Sequence, residues 1–200
     1  MRPHLEKTAI RAMGVAECFR PTSQKSILCA VVMRSDLVVD GCIFGTSTIE
    51  GEDATENIIS MFKKLRRNDI NLIMTLGSVI SIYNIIDTDK ITMETDTPTV
   101  SITFEKSDGL EEHIRNRFPE NWKSKVKQYE KLSDRNEVKL ATGHVVFLRQ
   151  SGFSLRDAKQ AVDKFTLQGS IPEPLRLARI IARAKVFGKE YDADLFESLG

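Results

Sequence analysis

Scarcity narrows the field first. There are three cysteines, Cys18, Cys29 and Cys42, an odd number without C-x-x-C spacing. All fall in segments that read as strands, where a free thiol behaves as a small apolar side chain. A disulfide scaffold is thereby excluded, structural zinc is disfavoured, and a reducing cytoplasm is the expected compartment. The histidines His4, His113 and His144 share no ligand spacing, and no Ser-His-Asp constellation, P-loop or nucleotide-binding glycine fingerprint is visible. No apolar run approaches the roughly 18 residues of a membrane span. The opening M-R-P-H-L-E-K lacks the apolar core of a signal peptide. Net charge is +1, so no global basic field announces nucleic acid, and such a partner would need a local patch.

What is present reads as an ordinary globular chain. Hydrophobic residues make up 41% and charged residues 28%, and residues 1–200 suit a single domain with a real core. Ala12 to Cys18 reads as a first strand. Ser26 to Met33 and Leu37 to Gly45 are dense apolar runs across a polar break, so they read as a hairpin that completes an antiparallel meander. Asp53 and Glu56 have the spacing of a capping box, and Ile58, Ile59, Phe62 and Leu65 follow at helical spacing. Ile70 to Leu76 is then a strand reached by a crossover, which should run parallel to a neighbour. Ser78 to Asp87 is an irregular apolar stretch, part helix, and within it Val79 to Ile86 is a candidate surface for a homo-oligomer. Thr99 to Phe104 is a fifth strand.

Gly109 to Lys139 mixes charges of both signs and reads as a solvated helical face broken at Pro119, with Trp122 and Tyr129 as anchors. Val145 to Leu148 is a further short strand. Helices follow at Ser154 to Leu167 and Pro174 to Phe187, and 189–200 is expected to be a weakly ordered tail. Three meandering strands plus two parallel ones, with helices on both faces, predict an α/β ribonuclease-H-like three-layer fold on a five-stranded mixed sheet.

Ile171 to Ile181 reads I-P-E-P-L-R-L-A-R-I-I. This resembles the C-terminal P-E-P-[LT]-R-x-A signature of endonuclease V and of an archaeal uncharacterised family related to it (domain of unknown function 99). V-V-D-G in the meander, G-E-D-A-T-E at Gly51 to Glu56, the strand and glycine at Ile70 to Gly77, and Y-N-I-I-D at Tyr83 to Asp87 follow the second family's pattern in order. The resemblance runs from about Arg11 to Gly188. It implies a ribonuclease-H-like fold, nucleic acid (DNA or RNA) as partner, and carboxylates that hold magnesium, since a metal activates water and neutralises charge on phosphate.

Carried over position by position, the nuclease pattern is incomplete. Its first-strand Asp falls on Ala16, with Glu17 beside it; its fourth-strand Asp falls on Leu76. Its lysine falls near Phe104, two residues before Lys106, and its late Asp or His falls on Arg179. The candidate carboxylates are therefore Glu17, Asp53, Glu56 and Glu173, with Glu17 and Asp53 as the metal pair. Lys106 and the helical stripe Arg176, Arg179 and Arg183 are the candidate nucleic-acid contacts. Three functions compete: a nucleic-acid-binding domain with an altered metal site, an active metal-dependent nuclease, and a protein-interaction domain on the same fold.

Overall fold

A computed structural model describes residues 10–107 and 109–188. Strands β1 (Arg11–Cys18), β2 (Lys25–Arg34) and β3 (Val39–Thr48) form the antiparallel meander. Helix α1 (Ala54–Leu65) crosses to β4 (Leu72–Leu76), which lies parallel to β1. A two-stranded hairpin, β5 (Val79–Ile80) and β6 (Asn84–Ile85), stands apart from the main sheet. Helix α2 (Thr88–Thr95) leads to β7 (Thr99–Thr103), parallel to β4. Helices α3 (Glu111–Arg117) and α4 (Trp122–Glu130) precede the strands β8 (Asn136–Lys139) and β9 (Val145–Ser151). Helices α5 (Leu155–Phe165) and α6 (Glu173–Phe187) close the chain. The sheet order is β3-β2-β1-β4-β7-β9-β8. This is the expected ribonuclease-H-like arrangement, with seven strands in place of five because the β8–β9 hairpin adds antiparallel to β7.

The central strands are covered on both faces, which is why they read as nearly continuous apolar runs. Leu28, Ala30 and Val32 of β2 pack with Met13 and Val15 of β1 and with Ile58 and Ile59 of α1. The alternate residues Cys29, Val31 and Met33 pack with Ala16, Ala178 and Ala182 on the other face. Helix α6 therefore lies across the sheet from α1. It comes so close to β1 that a Cβ on Gly14 would sit 2.5 Å from the Pro174 carbonyl carbon and 2.6 Å from its Cβ. The P-E-P segment is fixed there because the strand has no side chain at that point.

Two stretches differ from the sequence reading. Asn136–Lys139, expected in the charged helical stretch, is an edge strand; only Val138 of it is buried, and charged flanking residues are common on such edges. Ser78 to Asp87 holds the β5–β6 hairpin and no helix. Ile80, Ser81, Asn84, Ile85 and Ile86 are buried, leaving Ile82 at 39% exposure, so the segment presents little apolar surface for self-association. The helix begins later, at Thr88, where the Asp87 carboxylate accepts from the Lys90 N–H at 2.9 Å. The tail 189–200 lies outside the described residues. Among the described residues no helix is long and apolar enough to cross a membrane.

Gly14→Ala should destabilise the fold by about 1–3 kcal/mol through overpacking against Pro174. Urea denaturation should show a lower midpoint at unchanged slope; an unchanged midpoint would contradict this packing.

Candidate functional site

The site is built around a costly turn. Between β5 and β6, Ser81, Ile82 and Tyr83 have φ angles of 45°, 53° and 63°. Left-handed backbone costs about 1–2 kcal/mol for each residue with a Cβ, and branched Ile82 is among the least suited. The surroundings hold all three. The Ser81 N–H and hydroxyl donate to the two oxygens of Glu17 at 2.6 and 2.5 Å. The Ser81 carbonyl accepts from the Glu50 N–H at 2.7 Å, and its hydroxyl meets that of buried Ser26 at 2.7 Å. From above, Lys125 Nζ donates to the Gly51 carbonyl at 2.9 Å and the Tyr83 carbonyl at 3.4 Å. Phe118 meets the Tyr83 ring edge-on, with centroids 5.7 Å apart.

The charged neighbours of Lys125 predict a solvated face, yet it is 2% exposed. Burial lowers its pKa, opposed by Glu52 and Glu50. A signal was available: Trp122, Lys125, Val126 and Tyr129 fall at i, i+3, i+4 and i+7, so the anchoring stripe runs through the lysine.

The polar seam continues from Ser26 to Asp53. The Ser26 hydroxyl reaches the Ser47 carbonyl at 3.4 Å. Asn84, fully buried, donates to Ser47 Oγ at 2.9 Å, to the Thr48 carbonyl at 2.9 Å and to Asp53 Oδ1 at 2.7 Å. Asn84 Oδ1 accepts from the Ala54 N–H at 3.0 Å. The capping box is thus not formed. Asn84, from across the chain, caps α1, while the Asp53 side chain turns back to the Thr48 N–H at 2.9 Å and hydroxyl at 2.8 Å. Burial pushes the Asp53 carboxyl up, but these bonds from Thr48 and Asn84 outweigh it and hold its pKa below the ordinary value.

The four candidate carboxylates do not converge. Pairing of β1 with β2 is regular through Ala16, Glu17 and Cys18, so no bulge brings Glu17 onto the Ala16 face. Ala16 packs against α6, and Glu17 points to the α1 side with the seam. Glu56 is exposed and pairs with Lys90. Glu173 lies across the sheet, nearly buried, with both oxygens on Arg176 at 2.6–3.0 Å. Among the described residues no three His, Cys, Asp or Glu side chains could share a metal ion. Glu17 and Asp53 do not fit a shared magnesium as they stand. Asp53 already accepts from Ser47, Thr48 and Asn84, which claims its lone pairs. Glu17 accepts one bond per oxygen and keeps acceptor positions open.

Past the carboxyl ends of β4 and β7 lies a cavity of about 360 Å³. Leu76, Val79, Ile102, Phe104 and Leu110 give it apolar walls, and Ser78, Tyr129, Arg135 and Arg149 supply polar groups. Val79 belongs to the hairpin whose next turn holds Glu17, so seam and cavity share a support. Arg135 donates to Thr103 Oγ at 2.8 Å. Lys106 is exposed, between the wall residues Glu105 and Ser107. The stripe of Arg176, Arg179 and Arg183 lies on α6, across the sheet from α1; Arg179 and Arg183 lie near the Cys18 thiol, whose pKa burial raises and they lower. Leu76, which stands where the nuclease pattern has an Asp, is a cavity wall.

The sheet order and the helices on both faces define a ribonuclease-H-like α/β domain. The chain belongs to the endonuclease dU family, whose model matches residues 8–186. A UPF0215 protein of Pyrobaculum aerophilum is 32% identical over 173 residues, covering 86% of this chain and 92% of that one. Another, from Thermococcus gammatolerans, is 34% identical over 82% of this chain and 84% of its own. Among solved structures, a protein of unknown function from Archaeoglobus fulgidus superposes with a TM-score of 0.76 at 25% identity, covering 90% of this chain and 99% of that one. Endonuclease V from human superposes at 0.62 with 15% identity, covering 92% of this chain and 87% of that one. Endonuclease V from Ciona intestinalis, solved with inosine-containing DNA, superposes at 0.60 with 12% identity, covering 88% and 86%. The resemblance carried by the P-E-P signature and its companion motifs is borne out.

Because the folded-state pKa of Asp53 is lowered, its contribution to stability is complete above the unfolded value, 3.8, and is lost as pH falls through the folded value. The stability gap between wild type and Asp53→Asn should therefore be flat above about pH 5 and shrink as the medium becomes more acid. Denaturant titrations at several pH values check this, and a gap that widens in acid would contradict it.

Proposed function

We propose that this chain is a nucleic-acid-binding endonuclease domain that recognises deoxyuridine in DNA, with the extruded base in the cavity and the strand passing beside Glu17. The cavity carries this reading. Its volume, about 360 Å³, lies within the roughly 300–1,000 Å³ of small-ligand pockets, and apolar walls with a few convergent polar groups are what such pockets use. An enzyme acting at one base must take it out of the stack and hold it by its edge and its faces. The family's description, endonuclease dU, names the base. Lys106, at the rim, meets the flanking phosphate. The α6 arginines, across the sheet, serve a separate length of backbone. Glu17 has open acceptor positions and can orient a water and take a proton from it. The free thiols suit the reducing cytoplasm.

A second reading, recognition without cleavage, is favoured by one observation: Asp53 is already claimed by its neighbours, and Glu56 and Glu173 are held elsewhere by Lys90 and Arg176. One experiment separates the two. Binding and strand cleavage are measured on single-stranded DNA with one central deoxyuridine or an abasic analogue, in magnesium and in manganese. The proposal expects tighter binding to deoxyuridine, cleavage beside it, and a loss of cleavage of at least about 100-fold in Glu17→Gln at saturating DNA, where a weaker hold on the strand does not limit the rate. Tight deoxyuridine-dependent binding with no cleavage would leave the second reading. Equal affinity for deoxyuridine and abasic strands would overturn both.

A further inference from the structure

Of the three free cysteines, two touch. In the β2–β3 ladder Cys29 pairs with Phe44 and Cys42 with Val31, so the two thiols lie diagonally across neighbouring strands. Residues two apart on a strand share a face, and here it is the face under α6, where Cys29 packs with Ala178 and Ala182. The sulfurs stand 3.5 Å apart, in van der Waals contact. Their surroundings differ. Cys29 is fully buried, whereas Cys42 is exposed. Burial and the neighbouring thiol raise the Cys29 pKa, so Cys29 stays a shielded, protonated thiol and Cys42 meets solvent first. Cys18 lies on β1, with β2 between it and β3, so it cannot replace Cys29 as the partner of Cys42.

An accessible thiol beside a shielded second one is the arrangement of a reversible redox pair: the first meets the oxidant and the second resolves it. β3 is the outermost strand, hydrogen-bonded in the sheet to β2 alone. Closing the sulfurs to a bond of about 2.05 Å therefore needs movement only at the sheet margin. We propose that Cys29 and Cys42 form a peroxide-sensitive thiol pair whose disulfide locks β3 onto β2. Cys42 gives up its proton and its thiolate attacks one oxygen of hydrogen peroxide. The O–O bond breaks, and the leaving hydroxide takes up a proton to become water. This leaves a sulfenic acid on Cys42. The Cys29 sulfur then attacks the Cys42 sulfur, the S–O bond breaks, and the departing hydroxide leaves with the Cys29 proton as a second water. Two electrons pass from the thiols to the peroxide, and a small dithiol returns them. Contact in the fold supplies the second thiol at high effective concentration, so resolution outruns further oxidation of Cys42. The locked strand is the one whose end, Ser47 and Thr48, bonds Asn84 and Asp53.

The test treats the reduced full chain with a small excess of hydrogen peroxide, blocks the remaining thiols and digests it with trypsin, which cuts after Arg34 and so separates the two cysteines. The expected product joins the peptides 26–34 and 35–63 and is reversed by dithiothreitol. Amides that bond β3 to β2 should exchange at least about tenfold more slowly in the linked form. In Cys29→Ser, Cys42 should instead run on to sulfinic acid. Wild type in which Cys42 reaches sulfinic acid without the link would overturn the proposal, a result that needs no variant. So would a link through Cys18, a link that joins two chains through Cys42, or one that leaves the exchange of β3 unchanged.

Discussion

Three left-handed residues in succession are expensive, and the Glu17 carboxylate is the strongest of the contacts that hold them. It takes both donors of Ser81, while Glu50, Ser26, Lys125 and Phe118 close on the same turn from four directions. Strain of this kind persists only where the surroundings over-determine it, and it collects at functional sites. Here its effect is positional. With the turn fixed, Val79 is set at the cavity wall and Asn84 is carried under the start of α1.

Asn84 then does what a local cap would otherwise do. By donating to Ser47, Thr48 and Asp53 and accepting from Ala54, it ties the end of β3, the loop that follows and the start of α1 into one buried unit. A fully satisfied buried polar network specifies a unique arrangement, and each member depends on the others. Asp53 is thereby a structural group in this state, and Glu17 stands at the border between support and chemistry. On the other face, Gly14 lets Pro174 lie directly on β1, which fixes α6 and the Glu173–Arg176 pair away from the seam.

The fold was largely legible because its strands are long apolar runs and its helix α1 strongly periodic. The meander, the crossover and the two parallel strands all follow from those patterns. The β8–β9 hairpin was less so, because β8 has four residues and its charges matched the helical stretch before it. The site was legible in part. Glu17 stands out at the end of β1, but Asp53 and Glu56 carried a local capping spacing that a distant asparagine pre-empts, and no one-dimensional pattern shows that competition. Lys125 and Arg149 were hidden for the same reason: their burial comes from partners far along the chain, Gly51 and Tyr83 for one and the β7 and α4 walls for the other.

With a net charge of +1, the protein has little electrostatic grip on nucleic acid at large, so recognition must come from one well-formed pocket. The most direct measurement is a crystal structure of the full chain with a short deoxyuridine-containing single strand. The base is expected in the cavity, its ring against Phe104 and Tyr129, with the adjoining backbone beside Glu17. A strand bound along the arginines of α6, with the cavity empty and the base in solvent, would contradict the central claim.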